Sequence, residues 1–241
     1  MIEEFYYILI ILLIYNFISK VNFINYNYDL NYNFKYDIYI LTLDKNKDKH
    51  KFLINNIKDN FKFFYGLSIN NIEDKSNNIF IDKYIKSNSI NSIEICNFIN
   101  HFNIWTLLKY KDTPTIILED DIIISDSFYN YDLHDNIPKD FDIFYLGTNN
   151  NNYDDNICYN IYKTTNPNGL FGYLISNKGI NKLLNHFENN KIDKSLDLYL
   201  INNLIINNIL IAYTVFPNVI IKNNFVEMKN QNYNNHLLFH V

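Results

Sequence analysis

The chain alternates short, continuously apolar runs with longer stretches whose apolar positions recur at helical spacing, an order that predicts strands and helices in turn. Tyr36 to Leu43 is β-branched and aromatic and reads as a first strand ending at Thr42-Leu43-Asp44. Lys45 to Asp59 has helical spacing with Phe52, Ile54 and Ile57 on the apolar side, and Phe61 to Tyr65 reads as a second strand closed by Gly66. Strand, helix, strand is the opening of a parallel βαβ unit. Glu94 to Tyr110 then places Ile95, Phe98, Ile99, Phe102, Trp105 and Leu108 on one broad helical stripe. Thr115 to Leu118, Asp142 to Leu146 and Gly172 to Ser176 read as short strands of the fully buried kind. Asn177 to Phe187 and Ser195 to Ile206 read as helices, and Ile209 to Ile221 as a late strand pair broken at Pro217.

A different pattern precedes these elements. Phe5 to Ile18 is apolar apart from Asn16, and stretched to Val21 it reaches about the 17-residue minimum of a spanning helix. A signal anchor, a cleaved signal peptide and a buried first helix compete for this segment. Glu3 and Glu4 stand where a signal peptide carries basic residues, and no A-x-A-like site follows. Residues 1–21 are therefore expected to form an uncleaved, single-pass membrane anchor. Residues 22–36, where Asn alternates with Tyr and Phe, read as a short stem, 37–221 as the domain and 222–241 as a C-terminal tail. Lys20 after the anchor favours a cytoplasmic domain under the positive-inside rule. The absence of any Asn-x-Ser/Thr sequon, where chance would supply about three, points to the opposite side.

With 241 residues the chain suffices for one sizeable α/β domain and not for two ordinary ones with linkers. A net charge of −5 and the lack of a basic cluster exclude a nucleic-acid partner, because phosphate backbones are met by concentrated Lys or Arg. The chain has no arginine, so any phosphate it recognises is met by Lys, His, backbone N–H or a metal. Cys96 and Cys158 could form at most one disulfide, lack the partners and spacing of a zinc site, and read more readily as two buried free thiols.

The chemistry concentrates at Leu118-Glu119-Asp120-Asp121, three acids at the end of a buried strand, where α/β proteins place their ligand sites. Adjacent carboxylates repel unless a cation neutralises them, and hard divalent ions prefer such oxygens while a nucleotide diphosphate supplies the remaining ligands. Strand geometry puts Glu119 and Asp121 on one side and Asp120 on the other. Asp121 is expected to bind the metal directly, with Glu119 or Asp120 on the metal or the donor. On its own the tetrapeptide reads more readily as a solvated acidic turn.

The company of this tetrapeptide changes that balance. Ile40 to Asp44, Tyr65-Gly66, His101-x-x-x-Trp105, Leu118 to Asp121 followed by Phe128, Asp142 to Gly147, and Gly172 to Gly179 occur in an order that resembles glycosyltransferase family 25. That family includes lipooligosaccharide and procollagen galactosyltransferases, with similar domains in large DNA viruses, and the likeness covers roughly residues 37 to 220. It implies a GT-A-type nucleotide-diphospho-sugar transferase fold, an α/β architecture with a mostly parallel central sheet flanked by helices. It implies also a hexosyltransferase that uses manganese or another divalent cation and a UDP-sugar, and that modifies a glycan or collagen-like acceptor.

Carried over by position, Thr42-Leu43-Asp44 and Gly66 fall in the donor-nucleotide loops, Lys49 where the family has a basic residue (or equally a surface helix lysine), and His101 beside the donor or acceptor, although a lone His on an apolar helix is more often structural. Glu94 and Cys96 match a Glu-x-Cys, while Ile95 replaces a glycine and Asn100 the serine before His101. Asp193 stands where the family has an Asp and is the first choice for the base of an inverting transfer, with Asp197 one helical turn later the second. Both read equally as helix-capping acids. His236 and His240 are candidates for a late metal ligand, or simply tail residues. A non-catalytic, membrane-anchored relative is the competing function, motivated by Ile95, Asn100 and the missing arginines. A hydrolase is weaker, because no nucleophile elbow or paired-carboxylate motif specific to one is present.

Overall fold

The computed structural model describes residues 25–26, 36–72, 75–86, 89–130, 136–150, 153–158 and 160–223. Its strands are β1 (Asn25–Tyr26), β2 (Asp37–Thr42), β3 (Phe61–Tyr65), β4 (Thr115–Glu119), β5 (Ile122–Ile124), β6 (Ile143–Tyr145), β7 (Asn156–Cys158), β8 (Ile161–Lys163), β9 (Gly172–Ile175), β10 (Ala212–Val215) and β11 (Ile220–Lys222). The α-helices are α1 (Lys47–Asn56), α2 (Lys75–Tyr84), α3 (Ser92–Leu108), α4 (Asp126–Asn130), α5 (Asn177–Asn189) and α6 (Leu196–Tyr199), the last continuing through π-type turns over Leu200–Ile205.

The main sheet has the order β1-β3-β2-β4-β9-β6-β10-β8-β7, and β5 and β11 form a separate two-stranded ribbon. Among the six central strands, β3, β2, β4, β6 and β10 run the same way, and only β9 is reversed, between β4 and β6. This is a mixed α/β fold with a mostly parallel central sheet flanked by helices, consistent with the GT-A-type architecture.

Strand alternation sorts the core into two layers. Tyr39, Leu41, Ile117, Ile143, Tyr145, Tyr173 and Ile175 face α3, α5 and α6, where Phe98, Trp105, Leu183, Phe187 and Leu200 cover them. Ile38, Ile40, Phe63, Ile116, Leu118, Phe144 and Leu174 face the other way, onto Leu53 and Ile57 of the α1 region and onto Phe128 of α4. Helix α3 starts at Ser92 because Asn91 and Glu94 form a capping box. The Asn91 side chain accepts the Ile93 and Glu94 N–H groups, and the Glu94 carboxylate accepts the Asn91 N–H.

Several expectations shift. Helix α1 buries His50 and Leu53, with Phe52 and Ile54 only half-buried at its margins, because contact with the sheet favours the face centred on Leu53. The α3 face includes His101 and Ile104, and Ile95 and Phe102 are only partly buried. The Asn-rich stretch from Gly147 to Gly169 carries the β7–β8 hairpin. The late strands part company: β10 pairs with β6 and β8, and β11 pairs with β5. Cys96 is buried as expected, but Cys158 sits half-exposed on the edge strand β7, and both thiols are free. No helix among the described residues is long and apolar enough to cross a membrane. The hydrophobic segment read as an anchor, like His236 and His240, lies outside the described residues.

Candidate active site

Because β2 and β4 are parallel neighbours, with Leu41 beside Glu119, their C-terminal ends open on the same edge of the sheet. There the three acids separate by strand alternation. Asp120 turns toward α1. Its Oδ2 accepts hydrogen bonds from Thr42 Oγ1 at 2.6 Å and Asn46 Nδ2 at 2.7 Å, and its Oδ1 accepts one from Lys49 Nζ at 2.6 Å. His50 Nε2 lies 2.8 Å from the same Thr42 hydroxyl. The hydroxyl has one proton and gives it to the carboxylate, so His50 Nε2 is the donor to Thr42. Burial lowers the His50 pKa, against the opposing pull of Asp120 and of a hydrogen bond to the Leu43 carbonyl.

Of the residues expected in the donor-nucleotide loops, Thr42 and Lys49 thus join Asp120 in one cluster that ties β2, α1 and β4 together. Leu43 is half-buried and its carbonyl accepts the Asn46 N–H, closing the turn into α1, while Asp44 is exposed and pairs with Lys47 at 3.0 Å. Gly66 donates its N–H to the Thr42 carbonyl, and a Cβ there would lie 2.6 Å from the Asn100 amide. Asn100 clamps the following residue by accepting the Leu67 N–H and donating to the Leu67 carbonyl. The Asn at this position, where the family has serine, therefore holds the loop after β3.

Glu119 and Asp121 face the opposite way and meet a residue that the sequence had placed in the tail. Lys222 Nζ stands 3.6 Å from Glu119 Oε2 and 3.8 Å from Asp121 Oδ2. Behind Glu119, His101 is fully buried with Nε2 3.8 Å from Glu119 Oε1. His101 Nδ1 is 2.8 Å from the Tyr173 hydroxyl, which also accepts the Trp105 indole N–H at 3.0 Å. His101 therefore touches the site only through Glu119, and Trp105 is core, its polar N–H satisfied. Burial raises the Glu119 pKa, but His101 and Lys222 outweigh it and the net shift is downward. Asp121 moves upward, first through burial and then through repulsion by Glu119, with Lys222 opposing. Burial alone would lower the Lys222 pKa, yet Glu119, Asp121 and Asp197 together raise it.

The chain is brought to this place by a strap across the strand ends. Val219 and Ile220 donate their N–H groups to the Leu146 carbonyl, Lys222 pairs with Ile122 across the ribbon, and the Asn223 N–H reaches the Asp121 carbonyl at 2.6 Å. The strap passes over two glycines. A Cβ on Gly147 would sit 2.0 Å from the Ile220 carbonyl oxygen, and one on Gly172 would sit 2.8 Å from the Ile220 side chain.

The two later acids differ in their surroundings. Asp193 follows buried Ile192, which is bonded to Tyr84 and Lys86, and its Oδ1 lies 3.7 Å from Lys194 Nζ. The charge of Asp193 acts on Tyr199. Asp197, half-exposed in α6, acts on Lys222 and Tyr145, which places it in the electrostatic neighbourhood of Glu119 and Asp121.

The acid pair offers a divalent cation two carboxylates. Asp121 Oδ1 is buried without a hydrogen-bond partner, and an ammonium already stands between the two carboxylates, at a point where positive charge is favoured. Among the described residues no three His, Cys, Asp or Glu converge as a complete ligand set. Two carboxylates fit a hard cation that takes its remaining ligands from substrate phosphates and water. Lys222 and His50 were missed in the sequence: each acquires its partner from a distant strand, and a single Lys or His carries no local signal of that.

The family model of glycosyltransferase family 25 (LPS biosynthesis protein) matches residues 35–166, more than half of the chain. The match contains Thr42, Lys49, Gly66, His101 and the three acids, and ends before Asp193, Asp197 and Lys222. No curated protein is similar enough to count as a match.

Proposed function

Because the chain belongs to glycosyltransferase family 25 and is thus a glycosyltransferase, we propose that it moves a hexose, galactose or glucose, from a UDP-sugar to a hydroxyl of a glycan or hydroxylysine acceptor with the help of a divalent cation such as manganese. The observation that carries this is the pairing of Glu119 and Asp121 around a single cationic position at the C-terminal edge of β4. Bound there, the cation would neutralise the diphosphate as it departs. Asp121, with its unpartnered buried oxygen, and Glu119, with His101 Nε2 3.8 Å behind it, are the residues to hold it.

In an inverting transfer the acceptor oxygen attacks the anomeric carbon as the bond from that carbon to the diphosphate breaks, and a carboxylate takes the hydroxyl proton. Asp193 and Asp197 are the two candidates for this work, and the charge of Asp197 is felt at Lys222 beside the acid pair. The Thr42–Lys49–Asp120 cluster fixes the β2 and β4 ends that frame the donor.

The test is transfer from UDP-sugars in the presence of manganese by the wild type and by Asp121→Asn. Loss of about 100-fold or more in turnover is expected, in the range for removing a group that stabilises developing charge. Undiminished turnover in the variant would overturn the metal role.

A further inference from the structure

We infer that Lys222 is a tethered counter-ion of the donor site: its ammonium holds the Glu119–Asp121 pair while the site is empty and passes to the donor's diphosphate when a divalent cation takes the two carboxylates. This role rests on the donor-site role proposed above for the acid pair.

Three observations support it. The first is distance. At 3.6 and 3.8 Å, Lys222 Nζ lies within ion-pair range of both carboxylates but beyond the ~2.7–2.9 Å of a charge-assisted hydrogen bond, so it is held by the field of the acids and not locked to either. Its side chain is 43% exposed, which leaves room to swing. The second is the fixed base of the swing. Lys222 is anchored through its backbone, paired with Ile122 in the ribbon and preceded by the strap over Gly147 and Gly172, so a four-carbon stem moves on a rigid mount. The third is charge balance. One ammonium offsets one of the two carboxylates and leaves nothing for an anionic diphosphate, so a donor needs both a divalent cation on the acids and the release of the lysine toward the phosphates. With no arginine in the chain, a lysine is the side chain whose positive charge can take that part at neutral pH.

The proposal separates two quantities that an ordinary binding residue would move together. Lys222 competes with manganese for the acids but helps to hold the diphosphate. Lys222→Met keeps the apolar stem and removes the charge. Calorimetry of manganese alone is expected to show binding tightened by about ten-fold in Lys222→Met, since a competing cation is gone. Calorimetry of UDP at saturating manganese is expected to show binding weakened by about ten-fold. Lys222→Arg is expected to return both values toward wild type.

If Lys222→Met weakens manganese and UDP alike, or changes neither, the counter-ion role is overturned while the donor site stands. If the wild type binds neither manganese nor UDP, the donor site itself is overturned, and this role with it. Melting of each variant, compared with wild type, identifies a loss of binding that is only a loss of fold. In that case Lys222→Arg decides, because it preserves the charge.

Discussion

Asp120→Asn separates a strut from a ligand. In the folded chain Asp120 accepts three hydrogen bonds, two on Oδ2 and one on Oδ1, with its side chain only 11% exposed. An asparagine keeps one acceptor oxygen. If that oxygen serves Thr42 and Asn46, the amide N–H₂ confronts the Lys49 ammonium, donor against donor. If the amide is flipped, two donors from β2 and α1 lose their acceptor. Either way at least one charge-assisted bond is lost, worth about 1.5–3 kcal/mol, and a partly buried lysine is stranded. A destabilisation of about 2–3 kcal/mol follows, and at about 2–4 °C per kcal/mol in a domain of this size Tm falls by about 4–12 °C. Thermal and urea unfolding of Asp120→Asn, Lys49→Met and the double variant would give a coupling of about 1–2 kcal/mol between the two sites. Manganese affinity of Asp120→Asn is expected to stay within about two-fold of wild type, because neither oxygen faces Lys222 or Asp121. A variant that melts with the wild type but loses manganese would refute the strut and make Asp120 a ligand.

Two further perturbations test other parts of the structure. Asp59 is buried in the turn between α1 and β3 with Oδ2 unpartnered, and burial raises its pKa from 3.8 to about 6. The folded state therefore binds its proton more tightly than the unfolded state, so this group costs stability progressively as pH rises from about 4 to about 6 and fully above that. Asp59→Asn is expected to gain up to about 3 kcal/mol at pH 8 and nothing at pH 3.5, read from urea midpoints; an equal gain at both would show that ionisation is not the cause. Gly147→Ala forces a methyl group to within 2.0 Å of the Ile220 carbonyl, so the strap must move. A loss of about 1–3 kcal/mol in unfolding free energy and weaker UDP binding are expected together, and a variant that loses stability alone would uncouple the strap from the site.

The parts of the fold legible in the sequence are those fixed by local pattern. The apolar runs of β2, β3, β4 and β9 announce themselves because both faces of each are covered, and the periodicity of α3 and α5 follows from one-sided burial. The β7–β8 hairpin is hidden by its Asn-rich setting, and β5 is three isoleucines long, too short to separate from the acids before it. In the site, the division of Glu119 and Asp121 from Asp120 follows from strand period alone. His50 does not, since a histidine amid Lys and Asp on α1 reads as surface until β2 brings the Thr42 hydroxyl to it. Lys222 does not either: it follows an apolar run, and only the pairing of β11 with β5 reveals that the run leads to the acids.

That pairing also sets an order of events in time. Ile122 and Lys222 are neighbours in the ribbon but a hundred residues apart in the chain. At roughly 5–20 residues per second, about 5–20 seconds of synthesis separate the emergence of Asp121 from that of the lysine facing it. During that interval a nascent chain carries the two carboxylates without the lysine that offsets them in the folded protein.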